Sequence, residues 1–332
     1  MKKMKILITG GAGFIGTNLI PNLLDNKFVT EIICIDNMSH GTFLSGVHDR
    51  KEVKMITADI RDKDIDIYFK DADFVFHFAG LVSIYDCDKD PFSAFDNNIL
   101  GSINVFNACV KHGVKKVIFS ETSAMYEDSK IMPHIEEEWT PKTIYATSKA
   151  CLHLLAESYR KTKGLQYTGL RYFNVAGPLQ DYSRTIPPLF AGVALRLMNN
   201  KPPIIFGDET RRRDFVHVDD VNRFHMMCIF DDRTTNEVFN IGTGNSYSLR
   251  EIVEIVYNHT KINIPISYMP EINGEAHTII ANIDKARSLG WEPKKTVEDM
   301  IHDTIAFLVE EMKKGKVSPD FMEGIDIDNV KI

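Results

Sequence analysis

An α/β protein is predicted, a doubly wound parallel sheet joined to a smaller α/β substrate-binding lobe, and three observations predict it. Short apolar runs alternate with stretches of helical periodicity, a glycine-rich turn follows the first run, and the rhythm changes beyond Gly177-Pro178 to shorter elements punctuated by Pro187-Pro188, Pro202-Pro203 and Gly207. Continuous apolar strands between helices need cover on both faces, which is the condition of a parallel sheet.

The elements follow in order. Lys5–Thr9 is a strand ending in glycines, and Leu19, Ile20, Leu23 and Leu24 recur at helical spacing after it. Glu31–Ile35, Val53–Thr57, Phe74–Phe78 and Lys116–Ser120 read as further buried strands, with helical pattern over about Asn98–His112. A long loop with Trp139 and Pro141 leads to a helix over about Tyr145–Lys161 and a strand at Tyr167–Tyr172. The smaller lobe carries a strand at Glu237–Ile241 and helices at Leu249–His259 and Val297–Met312. The expected division is therefore a dinucleotide-binding domain over 1–177, a lobe over 178–317 with some segments returning to the first domain, and a tail over 318–332.

The 332 residues, 44% hydrophobic and 26% charged, are enough to bury a real core and exceed what one core usually fills. A net charge of -7 argues against a nucleic-acid binder. Five scattered cysteines without a C-x-x-C pair indicate neither a disulfide framework nor a metal site, and fit a reducing cytoplasm. No apolar stretch reaches the roughly 18 residues of a membrane span.

Gly10, Gly13 and Gly16 lie where strand gives way to helix, so backbone can approach a pyrophosphate at the positive helix end. Asp36 ends the next strand, where a carboxylate accepts from ribose hydroxyls and repels a 2′-phosphate; NAD is favoured over NADP. Tyr-x-x-x-Lys occurs four times, at Tyr126/Lys130, Tyr145/Lys149, Tyr159/Lys163 and Tyr257/Lys261. Only Tyr145 opens a helix after the fifth strand, at the carboxyl edge of the sheet; Tyr159, fourteen residues on, lies about 21 Å away along that helix. An ammonium one turn from a phenol favours the phenolate, which makes Tyr145 a competent base. Thr122 either bonds the same substrate hydroxyl or caps a turn. His77 reads as a core residue and Asp219-Asp220 as helix caps.

Ile8-Thr9-Gly10-Gly11-Ala12-Gly13-Phe14-Ile15-Gly16, Asp36-Asn37, His77-Phe78-Ala79-Gly80, Asn98, Tyr145-Ala-Thr-Ser-Lys149, Leu170-Arg-Tyr-Phe-Asn174 and Arg213-Asp-Phe-Val-His-Val-Asp219 appear in that order. With them the chain, from Met4 to about Met312, resembles the extended short-chain dehydrogenases that act on nucleotide sugars, in particular the UDP-galactose 4-epimerases. The resemblance implies a Rossmann-type domain that binds NAD through Gly10, Gly13, Phe14, Ile15 and Gly16 at the pyrophosphate. It places Asp36 and Asn37 at the ribose, and Asp59 and Ile60 at adenine. Phe78, Ala79 and Gly80 would line the channel, with Asn98, Ser120, Phe173, Tyr145 and Lys149 near the nicotinamide. It further implies catalysis by Thr122, Tyr145 and Lys149, and substrate contacts from Ser83, Thr122, Asn174, Phe206 and Arg213. The implied reaction inverts C4 of a UDP-hexose through a transient 4-keto sugar, in a homodimer joined by a four-helix interface.

Departures from the pattern bear on the reaction. Ser123 and Ala124 follow Thr122 where the 4,6-dehydratases carry Asp-Glu, which demotes elimination. Glu121 and Glu127 replace small residues expected beside the sugar, so an unusual sugar is open. Ile272 stands where an arginine often clamps diphosphate, with His277 the nearest basic residue in sequence. The alternatives kept are a nucleotide-sugar dehydrogenase or ketoreductase and, from another class, an NAD-sensing binding protein.

Overall fold

The computed structural model describes residues 3–39, 46–184, 186–271 and 276–317. Ile272, Gly274 and the 318–332 tail lie outside the described residues.

Six strands form in sequence: β1 (Met4–Thr9), β2 (Val29–Asp36), β3 (Val53–Thr57), β4 (Phe74–His77), β5 (Lys116–Thr122) and β6 (Tyr167–Tyr172). With the strand Glu237–Ile241 at the far edge they make a seven-stranded parallel sheet, whose order runs from β3 through β2, β1, β4, β5 and β6 to Glu237–Ile241. The order reverses between β1 and β4, and ligands bind outside the carboxyl ends of strands at such a switch point.

The apolar runs alternate faces as a parallel sheet requires. Ile6 and Ile8 pack with Leu19, Ile20 and Leu23 of helix α1 (Phe14–Leu24) on one side. Leu7 faces the other side, with Phe106 of α2 (Ser102–Lys111) and Leu152 and Ala156 of α3 (Ile144–Lys163). A third apolar cluster belongs to the later residues, among them Phe190, Val193, Leu197, Ile252, Val256, Ile301 and Leu308.

Two differences from expectation matter for the site. β5 runs to Thr122 rather than ending at Ser120, because Glu121 and Thr122 pair with Arg171 and Tyr172 of β6. The helix expected from Asn98 begins as a π-helical turn, Asp96–Gly101, before α2 takes over. The caps expected from Asp219-Asp220 shift as well: the helix α4 (Val218–Phe230) contains both in its first turn, and His217 is the N-cap, accepting from Asp219 N.

Candidate active site

A cleft of about 620 Å³ runs along the carboxyl edge of the sheet, large enough for a sizeable ligand. One end is made of backbone. Gly10 sits at φ +72°, and a Cβ there would meet Ala79 N at 2.7 Å; at Gly16 it would meet Gly10 O at 2.5 Å. Side chains are therefore excluded where β1 turns into α1. The N-cap of α1 is Gly13, which offers no side-chain oxygen to the first-turn N–H groups, so these remain for an anion. Phe14, Ile15 and Gly16 line the cleft there.

Asp36 is held with its oxygens fixed: Oδ2 accepts from Ala12 N at 3.0 Å and Oδ1 from Met38 N at 2.9 Å. Carboxylate oxygens carry further lone pairs, so it can still accept from ribose hydroxyls. Ile60 and Asn37 line the cleft beside it. Asp59, expected at the adenine, accepts from Arg61 Nε and Nη2 and from Asn37 Nδ2, each at 2.8 Å. Those bonds hold its carboxyl well below the usual range.

Midway along the cleft Tyr145 enters from the first turn of α3. Thr143 caps that helix through Ala146 N, and Glu127 accepts from Thr143 N at 2.8 Å and Thr143 Oγ1 at 3.0 Å. A carboxylate at a helix N-terminus interacts favourably with the dipole, so Glu127, which also lines the cleft, serves the helix start. Thr122 lines the cleft beside Tyr145 and accepts from Ala124 N at 3.2 Å, which is the turn-capping role. Lys149, fully buried, donates to Ser120 O at 3.1 Å and Ser120 Oγ at 3.3 Å.

The turn after β4 is fastened to this helix. Asn98 Oδ1 accepts from Leu81 N at 2.8 Å, while its Nδ2 donates to Leu81 O and to Ser148 Oγ at 3.0 and 2.9 Å. A Cβ on Gly80 would meet Asn98 Oδ1 at 2.7 Å. Asn98, Ser120 and Lys149 thus support the cleft from behind, whereas Phe78, Ala79, Gly80 and Phe173 line it.

Burial pushes Tyr145 up to about 12, with Thr122 and Arg184 opposing; it pushes Lys149 down to about 8, with Glu121 and Cys87 opposing. Lys149 follows Tyr145 by one turn of α3. Its ammonium is directed to Ser120, and desolvation is the largest influence on Tyr145.

The remaining tyrosines of the four pairs are committed elsewhere. Tyr126 is buried, donating to Asn240 Oδ1; Tyr159 donates to Asn107; Tyr257 donates to Ile264 O. His77 is a core residue, bridging Thr9 Oγ1 and Ser102 Oγ, and burial pushes it down to about 3.

At the other end side chains form the walls. Ser83, Asn174, Phe206 and Arg213 all line the cleft. Arg213 donates through Nη1 to Arg212 O and His277 O at 3.1 and 3.2 Å, and the next residue, Asp214, is anchored by Thr243, Gly244 and Ala281. His277 is exposed and adjoins Asp208. Sequence reasoning missed Gln180, Asp181 and Arg184, which also line the cleft; they follow Gly177 in a segment without hydrophobic period, so no pattern marks them. Glu121 borders the cleft, but its carboxylate is fully buried against Arg171 and His153, not offered to a sugar. Among the described residues no cluster of three His, Cys, Asp or Glu is placed to hold a metal ion, and no helix is long and apolar enough to cross a membrane.

A glycine cradle, a carboxylate at the end of β2 and a buried Tyr-x-x-x-Lys pair at the carboxyl edge of the sheet fit a nicotinamide-dinucleotide enzyme of the short-chain dehydrogenase type. Residues 6–242 match the NAD dependent epimerase/dehydratase family, and the chain belongs to it. It is 32% identical to the UDP-glucose 4-epimerase of Halalkalibacterium halodurans over 90% of this chain and 93% of that one. Among solved structures it is similar to the UDP-N-acetylglucosamine 4-epimerase of Methanobrevibacter ruminantium in complex with UDP-N-acetylmuramic acid, at 30% identity and TM-score 0.88, over 94% of this chain and 100% of that one. It is likewise similar to the UDP-glucose 4-epimerase of Thermus thermophilus in complex with NAD, at 30% identity and TM-score 0.84, over 92% and 99%.

Proposed function

We propose that the protein is an NAD-dependent 4-epimerase of nucleotide sugars whose substrate is a UDP-hexose of the UDP-glucose/UDP-galactose type. The observation that carries this reading is that Tyr145 and Thr122 line the same cleft as the glycine cradle of α1, with Lys149 buried behind them and held by Ser120. Relatives that act on UDP-glucose and UDP-N-acetylglucosamine support the nucleotide and the position inverted.

The residues divide the work. Gly10, Gly13, Phe14, Ile15 and Gly16 take the dinucleotide pyrophosphate, and Asp36 with Asn37 takes the adenosine ribose. NAD supplies a hydride acceptor and donor and, when oxidised, a positive ring. Tyr145 removes the proton from the sugar hydroxyl and returns it, and Thr122 holds that hydroxyl in line. Because the chain's own groups leave the phenol near 12, the tyrosinate depends on added positive charge beside it. Lys149 contributes as a fixed buried charge, anchored by Ser120. Asn174 and Arg213 hold the diphosphate, the guanidinium fork matching phosphate oxygens. Ser83 and Phe206 contact the sugar nucleotide, and Asn98 and Phe173 support the nicotinamide end.

The helices of the face that includes α3 expose Phe92, Leu100 and Leu154, at 90%, 56% and 57%, which supports a homodimer through a four-helix contact. Five free cysteines fit a cytoplasmic location. The purified protein, incubated with a panel of UDP-, GDP-, CDP- and dTDP-sugars and followed by NMR, is expected to interconvert the C4 epimers of a UDP-hexose. Steady release of NADH during turnover would instead make it a dehydrogenase.

A further inference from the structure

Ser120 receives the Lys149 ammonium with two oxygens, and the next residue along β5 is a carboxylate with no exposure at all. Glu121 Oε2 lies 2.9 Å from Arg171 Nε and 2.8 Å from Nη2, and Oε1 lies 2.9 Å from His153 Nδ1. Arg171 is itself fully buried and directly opposite Glu121 on β6. Its Nη1 is held by Tyr126 Oη at 2.7 Å and Glu136 O at 3.1 Å, so it is not released to another partner. The space is reserved for this group: a Cβ at Gly169 would meet Glu121 Oε1 at 2.9 Å.

We propose that Glu121 is a positioning residue for Lys149: its carboxylate braces the catalytic helix against the sheet and gives the buried ammonium a fixed counter-charge. The proposal rests on the reading of Tyr145 and Lys149 as the reacting pair. His153 stands four residues beyond Lys149, one turn along the same face of α3. Ser120 and Glu121, adjacent on β5, therefore fasten adjacent turns of that helix.

Cys87, on the short helix Ile84–Lys89, has its thiol pushed up to about 11 by burial and is neutral near pH 7. His77 on β4 is neutral as well, pushed down to about 3. Glu121 faces Arg171 and Tyr167 of β6 and His153 of α3; burial raises its carboxyl, but Arg171 and His153 outweigh that and hold it ionised. Of the two groups that oppose the desolvation of Lys149, Glu121 and Cys87, only Glu121 carries a formal charge. A Lys ammonium without water loses its proton readily, and an uncharged Lys149 could not favour a tyrosinate.

The test is a titration of Lys149 by NMR in NAD-loaded protein with isotope-labelled lysine, the signal assigned by its loss in Lys149→Met. In Glu121→Gln the midpoint is expected to fall by about one pH unit, the size of a typical single charge–charge effect, and the alkaline limb of kcat to move with it while KM for the UDP-hexose stays within about twofold. Glu121→Asp, which keeps the charge, is expected to titrate like the parent. Should Glu121→Gln not fold, His153→Leu cuts the carboxylate's tie to α3 and leaves its pair with Arg171 intact; kcat is then expected to fall about fivefold with KM within about twofold, and an unchanged kcat overturns the bracing. An unmoved Lys149 midpoint in folded Glu121→Gln overturns the proposal and leaves Glu121 a purely structural residue. Parent-like turnover by Tyr145→Phe and Lys149→Met would instead overturn the active-site reading, and the midpoint would still decide what Glu121 does to the lysine.

Discussion

The two ends of the cleft recognise their ligands by different means. At the dinucleotide end the fit is made by absent side chains: Gly10 and Gly16 are closed off by backbone at 2.7 and 2.5 Å, with no flexible atom to give way. At the sugar end the fit is made by side chains such as Arg213, Phe206, Asn174 and Arg184, each of which can be exchanged at graded cost. One end should therefore fail abruptly under substitution and the other slide.

Substitutions at each end can break this comparison. Gly10→Val adds a branched side chain at φ +72° against the Phe78–Ala79 backbone; purified protein is expected to carry less than about a hundredth of the parent's NAD, since strain and clash together exceed roughly 3 kcal/mol. Asp36→Asn keeps the backbone bonds but removes the charge, and calorimetry is expected to show NAD binding about tenfold weaker with its advantage over NADP reduced. Arg213→Lys, at the graded end, is expected to raise KM about tenfold with kcat nearly unchanged, the mark of lost uniform binding. The smallest effect is one of pH. Lys149 titrates near 8, below its ordinary value, so its charge is present below that pH and is lost above it; kcat is expected to decline as pH rises through about 8, measured on NAD-loaded protein. A Gly10→Val protein with full NAD, or an Arg213→Lys protein with none of its KM changed, would erase the distinction between the two ends.

What could be read before the structure follows the same division. That the glycine turn, Asp36 and Tyr145 meet at one cleft was legible because each depends on local sequence beside a strand end, where backbone geometry decides. The bonds from Arg61 and Asn37 to the Asp59 carboxylate were not, because motif matching does not weigh such neighbours. Gln180, Asp181 and Arg184 were not, since the chain after Gly177 reaches the cleft without a hydrophobic period. Glu121 was recognised as unusual, but where its carboxylate points depends on the pairing of β5 with β6, which sets Arg171 opposite it and leaves room at Gly169. The burial that raises the Tyr145 phenol is likewise a property of packing, not of the four-residue spacing.

The central claim is that the Tyr145 hydroxyl moves the sugar's proton. Its most direct test is the rate at which NAD-loaded Tyr145→Phe interconverts the C4 epimers of the UDP-hexose accepted by the parent, followed by NMR. The account predicts a loss of about a hundredfold to ten-thousandfold with the cofactor still bound; a Tyr145→Phe enzyme that turns over at the parent's rate would contradict it.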